Sequence, residues 1–364
     1  MRILVLTSRY TATRDIIGED FGRQTRLFSS LGELGHDVDF FVSDYRKHES
    51  KNVKLHGINV MIRAFSLFRF FNFVNKLDNA LKNKKYDLLI ATGEPLWGPV
   101  GYWAAKRHKL RLLYDLQDNY ETYSTYKIPF FSFIDKQIVR KADIITTVTH
   151  ALKSKIGGIR KNGVFVIQNG VDMGLFKPAD KLKSRKDLKL PRKAKIIVYA
   201  GSIHRYEGVD RLIKMFELLK KDLDDVYLAI AGRYVKGEEK YINLRQRNII
   251  YMGSLSQDNV AKLINAGDVA VIPYTNNAQV TYGFPYKLAE YMSCKAPIVA
   301  TSVGDVNLIL KNRRDSLCSP DSIVDMKKKI IRKLGSKKID YSKELKELTW
   351  MALAKKLEKI IIKK

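Results

Sequence analysis

Lys287 and Glu290 stand three residues apart inside residues 281–305, TYGFPYKLAEYMSCKAPIVATSVGD. Gly283, Phe284 and Pro285 read as a turn, and the run after them has helical apolar spacing. Pro297 then opens Ile298, Val299 and Ala300, short and β-branched enough for a buried strand. A helix that starts just past the turn aims unsatisfied N–H groups and the positive end of its dipole into the loop, a setting that suits an anion. One turn apart on that helix, the lysine can reach a phosphate and the carboxylate can reach sugar hydroxyls. That pairing suits a nucleoside diphosphate sugar. The plainer reading is a surface turn with an ordinary i,i+3 ion pair, and the elements around it decide between the two.

The chain opens with Arg2 to Leu6 as a strand, a loop through Gly18 and Gly22, and a helix carrying Leu27, Leu31 and Leu34 that stops at Gly35. Val38 to Val42 follows, completing a β-α-β unit with a glycine at the helix start. Gly22 there can sit under a phosphate, or it can be a plain turn, because Gly18 and Gly22 do not make a full dinucleotide fingerprint. Further strand-length apolar runs at 87–91, 112–116, 144–148 and 164–167 continue a parallel α/β pattern. Asp115, Asp118 and Glu121 follow one of these runs at its carboxyl end, where open α/β sheets place ligands. They are candidates for acceptor hydroxyls, or else strand-end caps. Residues 62–74, IRAFSLFRFFNFV, interleave arginines with five phenylalanines. Such a segment suits a membrane interface, though aromatics in this spacing also build cores.

Asn169, Gly170 and Asp172 form a turn before Pro178. The basic stretch 181–195 reads as a solvated connection, which puts the domain boundary near Pro178. Beyond it, strands at 196–200, 226–231, 249–252 and 269–272 each close on Gly201, Gly232, Gly253 or Pro273. Strand ends that repeat this punctuation ring one site. The segment from about Ser322 to the end is helical, with Trp350, Leu353 and Leu357 as buried anchors.

With 364 residues the chain exceeds one ordinary core, and its composition is globular with no low-complexity tract. Two cysteines, Cys294 and Cys318, make no disulfide framework, and six scattered histidines give no metal spacing. A reducing, cytoplasmic setting is expected. MRILVLTS is too short in its apolar run for a signal peptide and fits a buried strand. Asp37 and Asp39 fall in a strand rather than in a metal-binding setting, so no metal is expected. The net charge of +28, from 66 basic against 38 acidic residues, points to a polyanionic partner or to solubility alone. Anionic lipid and nucleic acid are the candidate partners, and no nucleic-acid motif appears.

Taken in order, LFSSLGELGHDVDFFV, ADIITTVTHALK, VIQNGVDMGLF, VYAGSIHRYEGVDRLI and PYKLAEYMSCKAPIVAT resemble the group-one superfamily of retaining, nucleotide-sugar-dependent glycosyltransferases. The resemblance implies an α/β GT-B fold of two Rossmann-like domains facing a cleft. It would divide this chain into an acceptor-binding domain at 1–177, a nucleotide-sugar-binding domain at 178–340 and a final helix at 341–364 returning to the first. By the same resemblance Glu290 binds the ribose hydroxyls, and Gly283, Phe284 and Lys287 line the sugar and diphosphate. Gly201, Ser202, Gly232, Arg233 and Gly253 flank the nucleotide, Gly22 faces the donor, and Asn169, Gly170 and Asp172 mark the interdomain edge.

The chain departs from that pattern in four places. Tyr282 stands where relatives carry an acid, Ser202 where they carry arginine, Glu207 where they carry lysine, and Gln117 where many carry histidine. Arg205, His204 or Lys287 would then neutralise the leaving diphosphate, and Asp118 would take the place beside the acceptor. The expected catalytic set is Asp118, Arg205 and Lys287. The resemblance further implies a UDP-linked donor as substrate, no cofactor, and a glycan or lipid-linked acceptor; with no metal-like Asp-x-Asp setting, the reaction is expected to be metal-independent. The basic charge and the aromatic segment 62–74 point to a protein peripheral to the inner face of the cell membrane, meeting an anionic lipid surface. The alternatives are a non-catalytic sugar-nucleotide binder, favoured by Ser202, Glu207 and Tyr282, and last a basic nucleic-acid-binding protein.

Overall fold

The opening strand, β1 (Arg2–Ser8), is buried along its whole length apart from Arg2, as a central parallel strand covered on both faces must be. The computed structural model describes residues 1–11, 14–20 and 22–363. In it the chain forms two units, Met1–Asn169 with Trp350–Lys364, and Gly170–Thr349.

In the first unit β1 is followed by the short pair β2 (Tyr10–Thr11) and β3 (Arg14–Asp15), then α1 (Arg23–Glu33), β4 (Asp37–Asp44), β5 (Lys51–Leu55) and β6 (Ile58–Ala64). Next come α2 (Phe70–Asn83), β7 (Leu88–Thr92), α3 (Trp97–Arg107), β8 (Arg111–Leu116), α4 (Phe131–Lys141), β9 (Ile144–Thr147), α5 (His150–Gly157) and β10 (Val164–Val166). Eight strands form one sheet in the order β10-β9-β8-β7-β1-β4-β6-β5, parallel except for the β5–β6 hairpin. The chain steps from β1 to β4 on one side and returns to β7 on the other, a switch point of the kind where such sheets take ligands.

Side chains on alternate strand positions build two faces. Ile3, Val5, Phe40, Val42, Leu88 and Ile90 pack with Leu27, Phe28 and Leu31 of α1. On the other face Phe41 meets Phe73 of α2 at 5.2 Å between ring centres, Phe73 meets Trp97 of α3, and the Tyr114 hydroxyl donates to Asp135 of α4 at 2.8 Å. Thus α2, α3 and α4 share one face of the sheet. The aromatic segment 62–74 is divided by this packing: Phe65 and Phe73 are core, whereas Phe68 and Phe71 are exposed.

The second unit runs α6 (Lys181–Asp187), β11 (Lys195–Ala200), α7 (Val209–Leu219), β12 (Val226–Ala231), β13 (Ile249–Tyr251), α8 (Gln257–Ala266), β14 (Val269–Ile272) and α9 (Ala278–Tyr282). It continues through α10 (Tyr286–Ser293), β15 (Ile298–Thr301), α11 (Gly304–Ile309), β16 (Leu317–Cys318), α12 (Ile323–Lys333) and α13 (Ser342–Leu345). Its six strands are parallel in the order β13-β12-β11-β14-β15-β16. The loop, helix and strand expected within 281–305 are present as the Gly283–Phe284–Pro285 linker, α10 and β15.

Three readings of the sequence are corrected. Residues 181–195 are not a solvated connection throughout, because α6 packs on α8 through a buried arginine. The Arg185 guanidinium donates to Ala266 O (2.9 Å), Ala194 O (3.0 Å) and Asp268 Oδ2 (2.9 Å), while Lys183 and Lys186 face solvent. The units part between Asn169 and Gly170 rather than near Pro178, since Val171 N–H donates to Leu348 O (2.9 Å) and Asn265 holds both Ala179 N–H and Lys177 O. Residues 341–349 likewise stay with the second unit, and only α14 (Trp350–Ile361) returns, laying Leu353, Leu357 and Ile361 against the α1 core.

Candidate functional site

Backbone hydrogen bonds tie the strand ends of the second unit together. Gly201 N–H donates to Ala231 O (2.9 Å), Gly232 N–H to Gly253 O (2.7 Å) and Ile203 N–H to Arg233 O (2.9 Å). Gly232 has a φ of 151°, and a Cβ there would come within 1.8 Å of Gly201 O. Glycine is required by that approach. Gly201, Ser202, Gly232, Arg233 and Gly253 are thereby brought to one rim, as the sequence leads one to expect.

Lys287, in the first turn of α10, is 7% exposed. Its Nζ donates to Glu207 Oε2 (2.5 Å) and to the Tyr199 hydroxyl (3.2 Å). It also lies 4.5 and 5.0 Å from the ring centres of Tyr199 and Tyr274, within the range of cation–π attraction. A Cβ on Gly201 would approach this Nζ to 2.4 Å. The missing side chain is what lets the ammonium sit against the end of β11. Burial, reinforced by the charge of Glu207, pushes the Tyr199 and Tyr274 phenols well above their ordinary pKa, so both remain neutral. Glu290, one turn further along α10, extends its field to Tyr274 and Tyr291, and the Tyr291 hydroxyl accepts from Ala200 N–H (2.9 Å). Tyr282 ends α9, Gly283 is extended (φ −85°, ψ 145°) and Phe284 is buried.

Glu207 is the partner of Lys287. The two charges come from different elements, the loop before α7 and the first turn of α10. Arg205 does not join this cluster as the sequence reading expects. Its guanidinium pairs with Glu238 (3.1 Å) and lies 3.6 Å from the Tyr241 ring centre, while His204 stacks on Tyr206. Of the three cations offered as compensation, Lys287 is the one at the rim.

In the first unit, Asp115 is not available to an acceptor. It is fully buried and receives three hydrogen bonds from Arg23 (2.8, 2.9 and 3.3 Å), with further ones from Thr92 and Thr146 (2.8 and 2.6 Å). Arg23 also donates to Ile167 O and Gln168 O, so the pair braces the sheet and the approach to Asn169. Glu121 is engaged by Lys155, and Asp172 caps its own turn by accepting from Gly174 N–H (2.9 Å). Gln117 accepts from Gln24 Nε2 (2.5 Å) and donates to Gly93 O (3.0 Å), linking the start of α1, where Gly22 is the N-cap with φ 96°, to the loop after β7. Asp118 is shielded, and burial raises its pKa; one carboxylate oxygen lies 3.5 Å from the Tyr123 hydroxyl.

Glu94, in the loop that opens α3, is a residue the sequence reading missed. Burial alone pushes its carboxyl up to about 7, and its charge reaches Tyr45, Tyr120 and Tyr123. Carboxyls among phenolic rings can accept from sugar hydroxyls while the rings cover its apolar faces. The signal was present in TGEPLWG, a strand closing on glycine and then an acid ahead of a helix, the same punctuation read in the second half.

Comparison with known proteins gives the family and the fold. A family model described as glycosyl transferases group 1 matches residues 194–336, and one described as glycosyltransferase family 4 matches residues 25–175. The D-inositol 3-phosphate glycosyltransferase of Mycolicibacterium gilvum is 23% identical over 60% of this chain and 51% of its own length. The putative teichuronic acid biosynthesis glycosyltransferase TuaC of Bacillus subtilis is 24% identical over 54% and 48%. The GPI3 subunit of Saccharomyces cerevisiae phosphatidylinositol N-acetylglucosaminyltransferase is 27% identical over 54% and 45%. The chain thus spans about half the length of these relatives. Among solved structures, sucrose-phosphate synthase of Thermosynechococcus elongatus superposes with a TM-score of 0.77 at 18% identity, covering 99% of this chain and 98% of that one. HepE of Anabaena in complex with UDP gives 0.76 at 17%, covering 99% of each. These structures show the fold, a GT-B architecture.

Proposed function

We propose that this chain, which belongs to the group 1 glycosyltransferases, moves a sugar from a nucleotide-sugar donor to a glycan or lipid-linked acceptor. The observation that carries this reading is Lys287, a buried ammonium set against Gly201 at the end of β11 beside the N-terminus of α10. A nucleoside diphosphate leaving group gathers negative charge as the glycosidic bond breaks, and a fixed cation with a helix N-terminus stabilises that charge. Glu290 takes the ribose hydroxyls. On the first unit, Glu94, Asp118 and Tyr123 receive the acceptor sugar, with Gly22 and Gln24 beside them. UDP is the favoured donor nucleotide, since a solved neighbour holds UDP, and the names of two relatives, on teichuronic acid and phosphatidylinositol, support a lipid-linked or surface acceptor.

The reaction on this reading is retaining and metal-independent, and it takes place at the cytoplasmic membrane face. Asp37 and Asp39 hold Lys84 instead of standing free (2.9 and 2.7 Å), and no helix among the described residues is long and apolar enough to cross a membrane. The test is a thermal-shift panel of UDP-, GDP-, dTDP- and ADP-sugars with and without EDTA, because a ligand of the folded state raises Tm. One base should give a shift that survives EDTA; no shift with any of them removes the donor assignment.

A second reading follows from the Glu207–Lys287 pair, in which a carboxylate offsets the charge of the ammonium. A non-catalytic sugar-nucleotide binder would show the thermal shift with no transfer or donor hydrolysis.

A further inference from the structure

Two stretches of the first unit, residues 62–77 and 122–134, contain no Asp or Glu, and both put large apolar side chains into solvent. Leu67, Phe68 and Phe71, around the start of α2, are 77, 102 and 80% exposed, and Ile128, Phe130 and Phe133, around the start of α4, are 53, 82 and 64% exposed. Single exposed apolar residues need no explanation, but clustered ones mark an interaction surface. Phe130 also holds a left-handed backbone, φ 62°, which bulky residues rarely adopt.

The topology places the two clusters together. α2 and α4 lie on the same face of the sheet with α3 between them, and both start beyond the carboxyl ends of parallel strands. Their N-termini therefore share one edge, roughly 20 Å apart at the usual spacing of packed helices. Arg69, Lys127 and Lys136 stand in or next to these clusters, and among the described residues they form no ion pair. The acids nearby are occupied: Asp135 accepts from Tyr114 and Tyr126, and Glu121 is held by Lys155. Apolar side chains beside Arg69, Lys127 and Lys136, with Asp135 and Glu121 engaged and the Glu94 carboxyl pushed up to about 7 by burial, are complementary to an anionic lipid surface.

We propose that this edge is a two-footed membrane dock. Leu67, Phe68 and Phe71 form one foot and Ile128, Phe130 and Phe133 the other, each entering the interface of an anionic bilayer, with Arg69, Lys127 and Lys136 at the phosphates. The proposal rests on the membrane-face reading above and extends it, since the second foot was not singled out from sequence. Glu94, in the loop opening α3, lies at the same edge between the feet, so a sugar carried on a membrane lipid reaches it without leaving the surface.

The test is co-sedimentation of the full chain with vesicles of phosphatidylcholine alone and of phosphatidylcholine with phosphatidylglycerol, for wild type, F68S/F71S and F130N/F133S. Wild type should bind the anionic vesicles and release as salt rises. Each double variant should lose about tenfold or more in partitioning, while the nucleotide thermal shift stays as in wild type in all three proteins. That shift separates failure of the dock from failure of the donor reading. The proposal falls if wild type does not bind anionic vesicles, or if F130N/F133S binds them as wild type does. It also falls if light scattering shows a wild-type dimer that both variants dissociate without vesicle binding, which would assign the edge to a second copy of the chain.

Discussion

Lys287 is held by one carboxylate, one hydroxyl and two aromatic rings, and each contact can be removed separately. Lys287→Ala should lower turnover by about ten- to a thousandfold, the range seen when a single electrostatic donor is lost, with donor KM rising less. Unchanged turnover in steady-state transfer assays would remove the lysine from the chemistry. Glu290→Ala should instead weaken donor binding while the melting temperature without ligand stays put, and wild-type donor affinity in that variant would sink the ribose assignment. Glu94 carries the pH dependence. Its folded pKa, near 7, lies above that of an unfolded glutamate, so protonation favours the folded state. The stabilisation is complete below the unfolded value and is lost as pH rises to about 7. Glu94→Gln removes the titration, so its Tm should match wild type at pH 4 and exceed it above pH 7, by the equivalent of about 1–3 kcal/mol. A constant difference across that range would show the carboxyl to be unshifted.

Among the elements, α1 and α7 show how sparse the requirements for placing a site are. α1 is anchored at its first residue by the Arg23–Asp115 pair, both side chains essentially without solvent contact. Breaking such a pair from one side leaves an unpaired buried charge. Asp115→Ala should therefore destabilise the chain by about 3–5 kcal/mol in denaturant titration, whereas a loss below 1 kcal/mol would mean that the arginine finds other partners. α7 begins at Gly208, whose φ is 76° and whose Cβ would stand 1.8 Å from Pro273 O. Here strain and collision act together, so Gly208 is the point that presses the loop carrying Glu207 against the end of β14. The same loop from sequence read only as glycine before a helix.

At the scale of the molecule, α14 is the last helix of the chain and yet part of the first unit. Leu353, Leu357 and Ile361 complete the core around Leu27, Phe28 and Leu31, and His36 meets Glu358 at 3.0 Å. Ending the chain at Thr349 would uncover that core. The truncated protein should lose the cooperative unfolding of the first unit while the second keeps its own, visible as one lost transition in calorimetry. Two transitions in the truncated chain would show α14 to be dispensable.

The parallel α/β pattern, the loop, helix and strand at 281–305 and the role of the glycines at strand ends were legible in the sequence. They are written in local periodicity and in residues whose conformational freedom has few other uses. Lys287 and Glu290 could be singled out for the same reason, being one helical turn apart. What stayed hidden depends on residues far apart in the chain. Arg185 reads as one more charge in a lysine-rich stretch until Asp268 lies beside it, and Asp115 reads as an acceptor contact until Arg23 claims it. Nor could spacing tell that Glu207 faces Lys287, that Arg205 turns to Glu238, or which phenylalanines of 62–74 enter the core. Sequence determined the elements and which residue types end them; only the tertiary structure decided which charges neutralise each other, because that depends on distances between groups that no local pattern encodes.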